Sequence, residues 1–146
     1  GVLLARALAA RAHGARPVIL CGFSLGAYVV WECLRELARL ADAGDAAALG
    51  LVQHAVLLGL PASSDAVSWR RARRVVAGRL VNCYRPGDIV LALVYRGMSM
   101  ATAAAGLVAI DAAGVESFDV SGIVAYHHAY RSRLGAVLRH VGLEER

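Results

Sequence analysis

Pro17-Val18-Ile19-Leu20-Cys21-Gly22-Phe23-Ser24-Leu25-Gly26-Ala27 is the stretch that decides how the rest of the chain is read. The apolar run from Pro17 to Cys21 suits a buried strand. From Ala27 to Leu40 the spacing turns helical, with Trp31, Leu34, Leu37 and Leu40 on one stripe. Between the two, Gly22 to Gly26 spells G-x-S-x-G, which is common in a glycine-rich chain. A strand before it and a helix after it make it the layout of a nucleophile elbow. In such a turn the serine backbone is strained, and flanking glycines, lacking Cβ, let the helix pack tightly on the strand. Ser24 Oγ is thereby pushed into the open. The N–H of Leu25, at the helix start, is placed to steady an oxyanion. The same letters also fit a βα turn with an idle serine, as in doubly wound proteins that bind a ligand or nothing there.

Outward from the elbow, Ala41 to Gly50 has the composition of a connector, and Leu51 to Leu58 reads as a second buried strand. It runs into Gly59-Leu60-Pro61, after which Ser63, Ser64 or Asp65 caps a helix carrying Trp69 and several arginines. A third strand, Arg79 to Tyr84, meets the turn pair Pro86-Gly87, which delivers Asp88 just past the strand end. Ile89 to Met98 reads as helix and Val115 to Val120 as the fourth strand. His127 opens a closing helix with Tyr130, Leu134, Val137, Leu138 and Val141 inward. Strands alternating with helices predict right-handed crossovers and an α/β fold, a parallel sheet of about four strands flanked by helices. Residues 1–146 read as a single domain. Active residues of such a sheet gather at the C-terminal strand ends, where Ser24, Asp88 and His127 all fall.

At 146 residues and 58% hydrophobic, the chain is long enough to bury a core, and its apolar mass is largely Ala, Val and Leu. The net charge is +5, and all 16 basic residues are arginine. That charge is spread along the chain except at Arg70, Arg71, Arg73 and Arg74, so nucleic acid is not an expected partner. The cluster reads either as a solvated helix face or as a contact for phosphate headgroups at a membrane. Cys21, Cys33 and Cys83 are odd in number and lack metal spacing, which predicts buried, reduced thiols and an intracellular, cytosol-facing location.

The first sixteen residues are basic and acid-free like a transit peptide. However, Val2, Leu3, Leu4, Ala7 and Leu8 recur at helical spacing, and Gly14 can stop that helix before the first strand. The apolar stretch Ile89 to Ile110 is interrupted by Arg96, Gly97, Ser99, Thr102 and Gly106, so it reads as an amphipathic or buried helix and not as a membrane span.

A serine hydroxyl attacks poorly at neutral pH unless a histidine takes its proton and an acid fixes that imidazole. Ser24, Asp88 and His127 occur in the chain order of an α/β-hydrolase triad. Asp88 also has the position of a helix cap for Ile89, the commoner job for such a residue. Asp65, beyond another strand end, is the substitute acid, while Asp119 reads as structural. His128 is the alternative base, since one step at a helix start turns a ring elsewhere. His13, His54 and His140 read as ordinary strand or helix residues. No metal-ligand spacing, phosphate-binding loop or dinucleotide fingerprint appears, so no cofactor or metal is expected.

Several separated motifs then converge: GFSLGA near residue 22, LLGLP near 57, WRRARRVVAGRLVNCY with a following Asp, VLALVYR, and DVSGIVAYHHAYR. Together they resemble the eukaryotic domain of unknown function 726 family, that of the transmembrane and coiled-coil domain-containing protein 4, over nearly the whole chain. The resemblance implies an α/β-hydrolase fold, of which this chain is the C-terminal part, and an upstream membrane-associated region in complete members. Residue by residue, it places the elbow on Ser24, the acid on Asp88, and the histidine three before a tyrosine on His127, with Tyr130 as that tyrosine. A glycine commonly precedes that histidine in the pattern; Tyr126 stands here, and a second histidine follows.

The expected function is a serine hydrolase acting on carboxylic esters or thioesters, a small-molecule or lipid ester, through an acyl-Ser24 intermediate. The alternatives are a non-catalytic hydrolase-like module for membrane docking or partner binding, and an acyltransferase with the same triad. In an α/β-hydrolase the second oxyanion N–H comes from a loop that would precede Gly1, so a partial chain with an unprotected sheet edge is expected.

Overall fold

The computed structural model describes residues 1–12, 14, 16–97 and 103–143; His13, Ser99 and Thr102 lie outside them. Helix α1 (Val2–Ala9) leads to strand β1 (Val18–Phe23) and the long helix α2 (Leu25–Asp42). Strand β2 (Val52–Leu58), helix α3 (Ala66–Arg73) and strand β3 (Leu80–Tyr84) follow. Helix α4 (Ile89–Arg96), strand β4 (Val115–Asp119) and helix α5 (Ala129–His140) complete the order. The strands form one sheet in the order β1-β2-β3-β4, every pair parallel. This is an α/β fold with helices on both faces, as the alternation of elements requires.

Parity along the strands sorts the core into two layers. Ala55 and Leu57 of β2 and Leu80 of β3 point to the side of α1, α2 and α3, where Trp31, Leu34, Leu37 and Trp69 fill the larger core. The intervening Val56, Leu58, Val81 and Cys83 face α5 and pack with Tyr130, Val137 and Val141. Helix α2 buries Ala27, Val30, Trp31, Leu34 and Leu37 at helical spacing. On its outer side Glu32–Arg35 and Glu36–Arg39 pair one turn apart. The indoles of Trp31 and Trp69 lie 4.5 Å apart, locking α2 to α3, and Trp69 Nε1 donates to the Ser63 carbonyl.

Some expectations need correction. Cys21 is exposed, while Cys33 and Cys83 are buried. The apolar run around Cys21 looks buried on both faces, but β1 is an edge strand of this sheet and carries an exposed Cys21. Helix α1 ends at Ala9, before Gly14 is reached. Helix α4 ends at Arg96, and α5 leaves Leu134 exposed. Among the described residues no helix is long and apolar enough to cross a membrane. The arginine cluster is largely bonded within the molecule: Arg71 and Arg74 both bind Asp42, and Arg73 donates to the carbonyls of Gly114 and Val76. Arg70 stays exposed, and Arg71 and Arg74 share the one Asp42 carboxylate while remaining more than half exposed.

Candidate functional site

The ladder register sets the site. Phe23 pairs with Leu58 and Leu58 with Cys83, so the first residues past the strands line one rim. The ladder runs one rung further: Ser24 N–H donates to the Leu58 carbonyl at 2.9 Å, and Gly59 N–H to that of Cys83 at 3.0 Å. Ser24 is thus pinned by the sheet on one side and by α2, which starts at Leu25, on the other. Its backbone sits at φ 52, ψ −121, a region that costs a non-glycine residue about 1–3 kcal/mol and persists only when its surroundings impose it.

Gly22 makes this turn sterically possible. A Cβ there would lie 2.6 Å from the Gly26 carbonyl oxygen and 2.7 Å from Ala27 Cα, so strand and helix touch backbone to backbone. Gly26 is different: a Cβ at that position meets nothing within 4 Å. Only the first glycine of the pattern is required for close packing.

Ser24, Asp88 and His127 come together. His127 Nε2 lies 2.8 Å from Ser24 Oγ, and His127 Nδ1 lies 2.7 Å from Asp88 Oδ2. A carboxylate only accepts, so Nδ1 carries the ring proton and Nε2 is left to accept from the serine O–H. Asp88 and His127 are buried, and Ser24 is half-buried. Asp88 is placed for both alternatives that the sequence leaves open: Oδ1 caps α4 by accepting from Leu91 N–H at 3.0 Å, while Oδ2 lies against the imidazole.

The alternative residues are placed elsewhere. Asp65 caps α3, its carboxylate accepting from Ser68 N–H, which holds its pKa below the ordinary aspartate value. His128 is the exposed cap residue of α5, its ring edge-on to His127 at 5.6 Å. His127 stands in the turn before α5 and not in its first turn, which is what frees its ring to reach back to Ser24.

Four further contacts support the site. The Phe23 ring lies 4.9 Å from the imidazole. Gly59, at φ 56, leaves room for Tyr130, whose ring would lie 3.2 Å from a Cβ there. Arg85 Nε donates to the Val124 carbonyl and so ties the histidine loop to the end of β3. Asp119 Oδ1 accepts from both Ser121 N–H and Ser121 Oγ, closing the turn that begins this loop. Burial pushes the Tyr130 hydroxyl well above its ordinary pKa. The N–H of Leu25 opens α2 at the serine, where helix N–H groups lack carbonyl partners within the helix. A cleft of about 220 Å³ between Tyr28, Trp31, Pro61, Ala62 and Tyr95 begins one turn of α2 beyond Ser24.

A family signature described as "Protein of unknown function (DUF726)" matches residues 1–144. The chain belongs to the DUF726 family. It is 43% identical over 143 residues to a transmembrane and coiled-coil domain-containing protein of Oryza sativa subsp. japonica, covering 98% of this chain and 21% of that protein. It is 45% identical over 141 residues to an uncharacterized membrane protein of Schizosaccharomyces pombe, covering 95% of this chain and 23% of the relative. A Saccharomyces cerevisiae protein named as a probable lipase is 37% identical over 145 residues, 98% of this chain and 13% of its own length. The chain therefore spans about a fifth of the length of the first of these DUF726 relatives. No solved structure matches it.

Proposed function

We propose that this chain is the nucleophile-bearing part of an α/β-hydrolase that cleaves carboxylic esters or thioesters. The observation that carries the reading is the unbroken relay from Ser24 Oγ through His127 to Asp88, at 2.8 Å and 2.7 Å, on a strained serine at a helix start. In this scheme His127 Nε2 removes the Ser24 proton as Oγ attacks the substrate carbonyl carbon, and the carbonyl oxygen becomes an oxyanion facing Leu25 N–H. Asp88 keeps the ring in the productive tautomer and balances the imidazolium. Collapse of the tetrahedral adduct breaks the ester C–O or thioester C–S bond, and His127 passes its proton to the departing oxygen or sulfur. Water, activated by the same imidazole, then attacks acyl-Ser24 and releases the acid.

A second oxyanion donor belongs to the longer protein in this reading, since the Leu25 N–H is the donor this chain supplies and losing one donor costs about two to three orders of magnitude in rate. The membrane names of the DUF726 relatives, and the lipase name of one, favour a lipid ester as substrate and a membrane-associated whole protein. The test is labelling of the full-length protein by a fluorophosphonate probe. Labelling that is lost in both Ser24→Ala and His127→Ala is the expected result. A full-length protein that never labels, or that labels equally in the Ser24→Ala variant, would remove the hydrolase reading.

A further inference from the structure

Large apolar side chains face water where each member of the proposed triad leaves the core. Leu25 follows Ser24 and is 62% exposed, Ile89 follows Asp88 and is 74% exposed, and Tyr126 precedes His127 and is 63% exposed. Consecutive Cα atoms are about 3.8 Å apart, so these three side chains sit within one chain step of the reacting groups. Helix α4 extends the feature. It buries Leu91 and Tyr95 and presents Ile89, Val90, Leu93 and Val94 outward, with Leu93 64% exposed. A surface helix normally turns a polar face to water, but Ile89-Val90-Leu91-Ala92-Leu93-Val94-Tyr95 carries no charge at all. An apolar face of this kind on a folded domain marks something that covers it.

The charges decide what that is. The Asp88 carboxylate at the head of α4 is buried against His127 and presents no negative charge at the rim. Exposed Arg96 ends the apolar helix, and exposed Arg131 stands in the first turn of α5 behind His127. Asp119, the exposed acid of this end of the sheet, lies on β4 and is bonded to Ser121. Apolar side chains edged by arginines fit acyl chains beneath anionic or zwitterionic headgroups. We infer that Leu25, the outer face of α4 and Tyr126 form a lipid-docking rim that seats the Ser24 side of the molecule on a bilayer, so that its ester substrate is a membrane lipid. The substrate part of this inference rests on the hydrolase reading; the docking part does not.

The test uses the full-length protein and vesicles of phosphatidylcholine doped with phosphatidylserine. The double variant Ile89→Ser with Leu93→Ser lowers vesicle affinity by about a hundredfold, since each of the two exposed aliphatic groups inserted in lipid contributes about a factor of ten. It also lowers the ratio of hydrolysis of a vesicle-borne ester to that of a short soluble ester. A second variant, Leu93→Trp, places a fluorophore on the rim that brominated acyl chains quench. Unchanged vesicle affinity in the double variant, or no quenching in Leu93→Trp, would overturn the docking rim. So would Ile89 and Leu93 side chains already shielded from hydroxyl-radical footprinting in the full-length protein without vesicles, because another segment or a second copy would then cover the face. Vesicle binding that depends on Ile89 and Leu93 in a protein whose Ser24 never labels would support docking and remove the hydrolase reading alone.

Discussion

Asp88 caps a helix with one oxygen and meets His127 with the other, and substitution separates that cap from the acid role proposed for it. Asparagine caps a helix about as well as aspartate, so Asp88→Asn keeps the bond to Leu91 N–H and changes stability by a few tenths of a kcal/mol at most. On the hydrolase reading it loses control of the His127 tautomer, and ester hydrolysis by the full-length protein falls by about four orders of magnitude, the loss known for the equivalent change in a serine protease. Asp88→Ala loses both roles, with a further cost of about 1 kcal/mol in urea unfolding. An Asp88→Asn protein that stays fully active would rule out the acid role. The glycines of the elbow separate in the same way. Gly22→Ala forces a Cβ against backbone atoms of α2 that cannot move aside, and destabilises by about 1–3 kcal/mol in urea unfolding. Gly26→Ala enters open space in a helix and is neutral or stabilising by up to about 1 kcal/mol. The G-x-S-x-G pattern showed the sequence reader where the turn lies; it could not show that only one glycine is sterically required, because that depends on the distance between β1 and α2.

At the scale of elements, β2 and β3 were legible because each is a short, largely apolar run closed by Gly59 or by Pro86-Gly87, and the order of the site residues followed from the strand ends. What was not legible was accessibility. Cys21 lies in an apolar run like those of β2 and β3, yet faces outward because neighbour number across the sheet is set by topology, not by local sequence. The link between β3 and β4 is likewise non-local. Arg79 Nε and Nη2 bind both oxygens of Glu116 at 2.8 and 2.7 Å, and these bonds hold the Glu116 carboxyl below its ordinary pKa. A depressed folded-state pKa means that the stabilisation is present above the unfolded value and is lost as pH falls through the folded one. Glu116→Gln is therefore less stable than wild type near about pH 7, by no more than about 1 kcal/mol for so exposed a pair, and the gap closes near about pH 3. Urea unfolding of both proteins at the two pH values measures this; a gap that widens in acid would contradict it.

For the whole molecule, the open side of β1 is the feature most directly read by chemistry. Cys33 and Cys83 are sealed in the two core layers, and burial pushes their thiols up to about 11 and about 12. At neutral pH neither presents thiolate to a reagent. Partial burial raises the Cys21 thiol too, which slows its reaction without hiding it. Alkylation of the native 146-residue chain therefore modifies one thiol, Cys21, with Cys33 and Cys83 following only on unfolding. Ile19 shares its exposed face, and an uncovered strand edge beside exposed aliphatic groups is a place where another strand adds readily. On the reading that a strand of the full-length protein pairs with β1 and carries its own helix over that face, the Cys21 rate in that protein is at least about tenfold below that of the isolated chain. Mass spectrometry of the modified peptide distinguishes the outcomes. Equal rates in the chain and in the whole protein would mean that the β1 side stays open to solvent, and that the second oxyanion donor does not come from a strand laid beside it.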